Sequence, residues 1–361
     1  MNKKIVLLGP YPPPFGGVSI YISTLFEFLK NRGIHLWTYG EREVSGANVR
    51  YLRDKRRELV PLLLREGRGA RIVDCTHFLV EYPSLLVPLW VILKRLLHFE
   101  WVKIVQDGSL PSRYKQFNVF RRALFRIAVG SVDEFIVLNE ALERWLRAEI
   151  VVKREVSVIK NLFPISYGDR ETQLPAELEV ALELFRQRRK KVCSIGVFIP
   201  DYGFADVAEA VERLRLETGE DVGLVLLDGD FASDEEYRAE VLRDRDWLVV
   251  LKNVPHPQVF QILKRSDVFV RGFGLDSYGL SRVEAIWCGL PVVATRAGEI
   301  RGMLLYDFGN VEELLAQLKR ALSGAQVEET REWATRYRQE AEENLKSISN
   351  KLGIDTERTT Q

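Results

Sequence analysis

Cysteine is scarce in this 361-residue chain. Cys75, Cys193 and Cys288 are odd in number, far apart and unaccompanied by CxxC or Cys/His pairing. A disulfide framework and a zinc site are therefore not expected, and the expected compartment is the reducing cytosol. Long apolar runs are missing too. The longest, residues 83–93, is closed by Lys94 and Arg95 and is too short to span a bilayer. The start Met1-Asn2-Lys3-Lys4 is basic, but Ile5 to Leu8 runs into Gly9-Pro10, which reads as a first strand and not as a secretory signal. No repeat of fixed period and no low-complexity tract is present. A hydrophobic share of 46% and a charged share of 29% exclude wholesale disorder and a fibrous repeat.

Net charge is also small, at +1, but it is unevenly spread. Residues 1–165 hold 26 Lys+Arg against 16 Asp+Glu, and the remainder holds 26 against 35. An anionic surface or acceptor would meet the basic half, although drift between two domains would give the same asymmetry. The length itself fits two domains of roughly 150 to 200 residues.

What is present is an alternation of short apolar strands and longer amphipathic helices, the pattern of parallel α/β sheets. Strands are expected at 4–8, 36–39, 70–75, 101–105, 134–137 and 156–159. A second set is expected at 191–195, 223–227, 247–251, 268–270 and 290–294. Residues 161–176, with Pro164, Gly168, Asp169 and Pro175, read as a linker. The expected organisation is an N-terminal acceptor domain (1–165), a linker (166–185), a donor domain (186–327), a helix (328–352) crossing back to the first domain, and a tail (353–361).

Two segments carry chemistry. Gly9-Pro10-Tyr11-Pro12-Pro13-Pro14-Phe15-Gly16-Gly17 lies between a strand and a helix. Adjacent glycines let backbone approach a ligand, and amides at a helix start favour an anion such as a diphosphate. The loop is neither a Walker A loop nor a GxGxxG fingerprint, and a plain turn needing glycine for its angles fits it equally. The second segment is Gly274-Leu275-Asp276-Ser277-Tyr278-Gly279-Leu280-Ser281-Arg282-Val283-Glu284-Ala285, followed by Gly289-Leu290-Pro291-Val292-Val293-Ala294. Asp276 is expected on a loop and Glu284 on a helix beginning near Tyr278. Carboxylates suit sugar hydroxyls and free amides suit an anion. One acid ahead of a helix, favoured by its dipole, is the plainer alternative.

These residues resemble glycosyltransferase family 4. The acidic motif is matched as Asp276-x7-Glu284, then Gly289-x-Pro291-Val292-Val293-Ala294. The Gly16-Gly17 loop, Val158-Ile159-Lys160-Asn161 and Val254-x-His256 fall in the same order, so the resemblance covers nearly the whole chain. It implies a GT-B fold of two Rossmann-like, doubly wound domains facing a central cleft, and usually retention at the anomeric carbon. Donor binding is implied for Gly16, Gly17, Asp276, Gly279, Leu280 and Glu284, and Gly196, Tyr202, Arg271 and Ser277 are expected to join them. Asp276 would take sugar hydroxyls, Glu284 the nucleotide ribose, and the Gly279 and Leu280 amides phosphate or sugar.

The chain departs from the family pattern in three places, one being Asp276 where the family's first acid is usually glutamate. Where the family carries G-R-x-x-P-x-K-G, this chain has Gly196-Val197-Phe198-Ile199-Pro200-Asp201-Tyr202-Gly203, losing both cations. A leaving diphosphate gains charge, so that loss costs several kcal/mol of transition-state stabilisation unless another group substitutes. Arg271 at the cleft rim is the expected substitute, with Arg282 and Arg296 behind it. Gln106 stands where the family commonly has histidine. It can hydrogen-bond a hydroxyl but cannot titrate. Asp107 beside it either contributes to the chemistry or caps a turn.

His77 follows a strand and either lines the cleft or packs in the core, while His35 and His98 read as structural. Asp228-Gly229-Asp230 imitates a metal-binding DxD but is expected to be a turn, with no essential metal. Arg113 to Arg126 mixes basic and aromatic residues. It fits either an anionic bilayer or a helix with an aromatic core face and a solvated basic face.

The expected protein is a metal-independent glycosyltransferase with Asp276, Arg271, Asp107 and Gln106 at the reaction centre. It would move a sugar from a nucleotide-diphosphate sugar to a glycan or lipid-linked acceptor, with no cofactor and no nucleic-acid partner. It would be cytoplasmic or peripheral at the inner face of the membrane. The alternative is a non-catalytic GT-B homologue serving as a binding or scaffolding subunit. A sugar-nucleotide epimerase would need acids and histidines that are not found.

Overall fold

Runs such as Val6-Leu7-Leu8, Ile104-Val105 and Val268-Phe269-Val270 are apolar at consecutive positions and fully buried. That is what strands covered by helices on both faces require. In the computed structural model, which describes residues 3–150, 152–164 and 173–354, they form two all-parallel sheets. The first contains β1 (Ile5–Pro10), β2 (His35–Tyr39), β3 (Val49–Tyr51), β4 (Arg71–Asp74), β5 (Glu100–Val105), β6 (Glu134–Val137) and β7 (Glu155–Val158), in the order β3-β2-β1-β4-β5-β6-β7. The second contains β8 (Lys190–Phe198), β9 (Val222–Ser233), β10 (Leu248–Lys252), β11 (Val268–Arg271), β12 (Val292–Thr295) and β13 (Leu304–Tyr306), in the order β10-β9-β8-β11-β12-β13.

Each sheet is doubly wound. Strand order reverses between β1 and β4 in one and between β8 and β11 in the other, which opens a crevice at the carboxyl ends of those strands. The first sheet is sandwiched between two cores, one around Trp37, Trp101 and Phe125, the other around Tyr21, Leu25 and Ile136. In the second, Phe198, Phe204 and Val211 pack with Leu314 and Leu318.

The chain divides into one unit of residues 1–13, 17–163 and 343–361 and another of residues 14–16 and 164–342. The helix Val327–Leu352 is shared, its residues from 343 onward counting with the first unit. In that unit Ile348 and Leu352 join the core, and Arg71 donates to the Lys351 carbonyl at 2.9 Å. In the other, Arg301 pairs with Glu340 at 2.8 Å.

Several expectations are corrected. The strands β3 and β13 were not anticipated, being three residues each. The expected linker is helical over Ala176–Ala181 and Glu183–Gln187, where Leu182 and Phe185 are buried. Residues 165–172 of it lie outside the described residues, as do 355–361 of the expected tail. The helix expected from Tyr278 begins at Leu280. Asp228 and Asp230 lie within β9, where its register against β8 shifts between Gly196 and Phe198.

Candidate functional site

In the second unit one side chain links the carboxyl ends of β8 and β11. Arg271 ends β11 and is 8% exposed. It donates to Asp276 twice, Nε to Oδ2 at 2.8 Å and Nη2 to Oδ1 at 3.1 Å, and its Nη1 reaches the Ile195 carbonyl across the crevice. Tyr202 and Phe273 stack with centres 4.1 Å apart. The guanidinium sits 5.2 and 5.4 Å from their centres, within cation–π range.

Arg282 is fully buried and donates to Asp276 Oδ2 at 3.1 Å, to Thr295 Oγ1 and carbonyl at 3.0 Å each, and to the Glu299 carbonyl at 3.2 Å. It ties the loop carrying Asp276 to the turn after β12. Burial pushes the Asp276 carboxyl up, but Arg271 and then Arg282 outweigh it and hold it below the ordinary aspartate range. Asp276 therefore differs from the carboxylate expected to face sugar hydroxyls. Three of its roughly four acceptor positions already receive guanidinium donors. Arg271 differs too: it is a buried ion-pair partner and not a rim cation. Two arginines against one aspartate leave the cluster one positive charge in excess.

The helix Leu280–Trp287 follows this loop. Gly279 stands before it at φ +79°, no side chain caps it, and its first turn contains no acid. Among the described residues the Leu280 and Ser281 amides have no hydrogen-bond acceptor. A Cβ on Gly279 would meet Arg282 Nε at 2.7 Å and Asp276 Oδ2 at 2.9 Å, so glycine is required by both angle and space. One turn on, Glu284 is 3% exposed and its Oε1 lies 2.6 Å from His256 Nε2. His256 opens the helix His256–Leu263.

The other sequence-selected residues are spread more widely. Gly196 lies on β8, and a Cβ there would meet Tyr202 at 2.6 Å. Val197 is buried. Ser277 is half-buried on the Asp276 loop. Arg296 is at the surface, paired with Asp307 and Glu313 at 2.8 Å each. Asp228 pairs with Arg238 at 3.2 Å and Asp230 with Lys252 at 2.9 Å. No group of three or more His, Cys, Asp or Glu able to hold a metal occurs among the described residues.

In the first unit, the helix Gly17–Leu29 begins at the second glycine of the loop. Gly17 is exposed, its φ is not positive, and a Cβ there would meet nothing within 4 Å. Neither backbone angle nor packing requires glycine at this position. Gly16 is grouped with the second unit. Gln106, just beyond β5, is 6% exposed with its Nε2 unpartnered. Asp107 receives the Ser109 amide at 2.9 Å and pairs with Arg113, so it caps the next turn.

Sequence reading missed a buried cluster at the carboxyl ends of β4 and β5. Lys103, fully buried, lies 3.0 Å from Glu81 and 3.9 Å from Asp74 and donates to the Thr76 carbonyl. Burial pushes Glu81 up, but Lys103 wins and holds it below the ordinary glutamate range. The half-buried His77 lies 3.7 Å from Glu81. The one visible signal was a lysine inside the apolar run Trp101-Val102-Lys103-Ile104-Val105. Arg282 and His256 were named from the sequence, but their partners had no such signal, being distant side chains or backbone carbonyls.

Residues 179–341 match the family model described as glycosyl transferases group 1. An uncharacterised glycosyltransferase of Methanocaldococcus jannaschii is 22% identical over 316 residues, covering 84% of this chain and 82% of that protein. Among solved structures, sucrose-phosphate synthase from Thermosynechococcus elongatus aligns with a TM-score of 0.71 at 17% identity, covering 98% of each chain. Anabaena HepE in complex with UDP-glucose aligns at 0.69 and 16% identity, covering 97% of this chain and 98% of that one. A trehalose-6-phosphate protein from E. coli bound with UDP-2-fluoro glucose aligns at 0.71 and 12%, covering 97% and 99%. At these identities the likeness establishes the fold, which is GT-B-like with two parallel-sheet α/β domains.

Proposed function

We propose that the chain is a glycosyltransferase that moves a sugar from a nucleotide-diphosphate sugar to a glycan or lipid-linked acceptor, with retention of configuration. The observation that carries this reading is the start of the helix Leu280–Trp287. Its amides are uncapped, a cluster with one excess positive charge precedes it, and a buried carboxylate sits one turn further on. Helix-start amides and a desolvated cation favour a diphosphate, and more so as it gains charge on leaving. A buried carboxylate suits ribose hydroxyls. The two cations missing at Val197 and Tyr202 are, on this reading, replaced by the Arg271–Arg282 pair acting around Asp276. Gly17 supports close approach of a ligand to the first unit, since nothing local demands glycine there. Resemblance to family 4 supports the same assignment, and the group 1 match over residues 179–341 supports its coarser form.

A second reading, a non-catalytic binding homologue, is favoured by the occupied oxygens of Asp276 and by Gln106, which cannot titrate. The two are separated by thermal shift against a panel of nucleotide sugars, followed by product analysis with simple acceptors. Turnover that survives a chelator supports the metal-independent transferase. Stabilisation without turnover supports the binding homologue, and absence of any shift would sink both.

A further inference from the structure

The helix Leu86–Leu97 is apolar on both sides over its first eight residues, with Lys94 and Arg95 in its last turn, yet it lies at the surface. One side, with Val87, Trp90, Val91 and Leu93, is in the core. The other presents Leu85, Leu89, Ile92 and Leu96, spaced four, three and four residues apart, and three of the four are more than half exposed. A helix apolar on every face normally belongs in a protein core or a membrane. The neighbouring helix Val119–Ser131 shares the same core through Phe125 and Ala128 and exposes Val119, Phe120 and Ile127.

Charge selects the partner. Neither residues 82–99 nor residues 108–132 contain a single Asp or Glu. Lys94 is neutralised by Asp133 and Arg113 by Asp107. Arg95, Arg121 and Arg126 are exposed and have no carboxylate partner among the described residues. An exposed leucine-rich face that carries the unneutralised Arg95, Arg121 and Arg126 beside it is complementary to an anionic, apolar-cored surface. A second copy of this chain fits poorly, because a two-fold contact would set the same arginines against one another.

We propose that the helices Leu86–Leu97 and Val119–Ser131 form a docking face for a bilayer containing anionic lipid, lying in the headgroup plane. At 12 residues the first helix is roughly 18 Å long, well short of the roughly 30 Å hydrocarbon core. The leucines would enter the acyl boundary while the arginines meet lipid phosphates. This inference stands apart from the transferase reading and can fail without it.

The test is flotation of the full chain with vesicles of pure phosphatidylcholine and of phosphatidylcholine with one-third phosphatidylglycerol. The wild-type chain is expected to float only with the anionic vesicles. Ile92→Ser/Leu96→Ser and Arg121→Glu/Arg126→Glu are each expected to lower the partition coefficient roughly tenfold or more. Both pairs are exposed, so an unchanged thermal transition checks that the fold is retained. Absence of wild-type binding, equal binding to both vesicle types, or unchanged binding by either variant overturns the proposal. Self-association lost in Ile92→Ser/Leu96→Ser, without vesicle binding, assigns the face to a second copy instead.

Discussion

Arg271 and Asp276 are joined side by side, Nε to Oδ2 at 2.8 Å and Nη2 to Oδ1 at 3.1 Å, with no more than a tenth of either side chain exposed. Five residues apart, one ends a strand and the other sits on the loop that feeds the next helix. The pair fixes that loop before any ligand arrives. Removing one partner of a buried pair leaves the other desolvated and uncompensated. Arg271→Ala is therefore expected to lower stability by about 3 kcal/mol and to abolish the thermal shift given by nucleotide sugars. Arg271→Lys, which keeps charge but not the fork, should recover part of the stability and little of the shift. If Arg271→Ala binds donor as the parent does, Arg271 has no part in the site.

The sign of the acid dependence follows from Asp276. Its folded carboxyl titrates below its unfolded value, because the two arginines outweigh burial. Stability from this group is thus fully present above the ordinary aspartate range and lost as pH falls through the depressed folded value. Asp276→Asn should be less stable than the parent at neutral pH, with the gap closing in acid below the ordinary aspartate range. Urea midpoints measured across that range provide the check.

Lys103 predicts a pH-dependent stability gap. In the parent, Glu81 is held below its ordinary range by Lys103, so its contribution also fades with acid. Lys103→Met leaves Glu81 and Asp74 buried without a cation, at a cost of about 3 to 5 kcal/mol. Those carboxyls then take up protons in the folded state, so the stability gap between the variant and the parent should narrow as pH falls. A gap that stays constant or widens in acid would contradict this.

His256 is expected to act on Glu284 as a positioning residue. If Glu284 accepts ribose hydroxyls, His256→Ala should weaken binding of ribonucleotides more than of 2′-deoxyribonucleotides, shrinking the preference between them. His256→Gln, which can still donate, should restore part of it. Calorimetry with matched nucleotide pairs measures this, and an unchanged preference would make the contact purely structural.

Gly279→Ala combines a left-handed backbone angle with contacts below 3 Å to Arg282 and Asp276. Strain of about 1–2 kcal/mol is expected from the angle alone, and the displaced loop should lose donor affinity. Gly17→Ala, where a Cβ meets nothing, should leave stability unchanged. A fall in stability at Gly17 comparable to that at Gly279 would refute the distinction.

The strands were readable because a parallel strand covered on both faces must be apolar at successive positions, as in Val6-Leu7-Leu8 and Val268-Phe269-Val270. β3 and β13 were not, since three residues carry too little pattern. The group of residues around Asp276 was readable from spacing alone, because a loop followed by a glycine and a helix is a local arrangement. The state of those residues was not. Arg282, second in line to replace the missing cations, is fully buried and held by backbone carbonyls.

Local chain chemistry therefore settled which segments become strands and helices, and which acids and glycines share one loop. Tertiary packing alone decided that Asp276 is neutralised by two guanidinium groups, that Glu284 meets a histidine 28 residues away, and that one face of Leu86–Leu97 is left uncovered by the rest of the chain. The reason is that hydrophobic periodicity acts over a few residues. The burial and pairing of a charge depend on which distant backbone carbonyls and side chains the closed sheet brings within hydrogen-bonding distance.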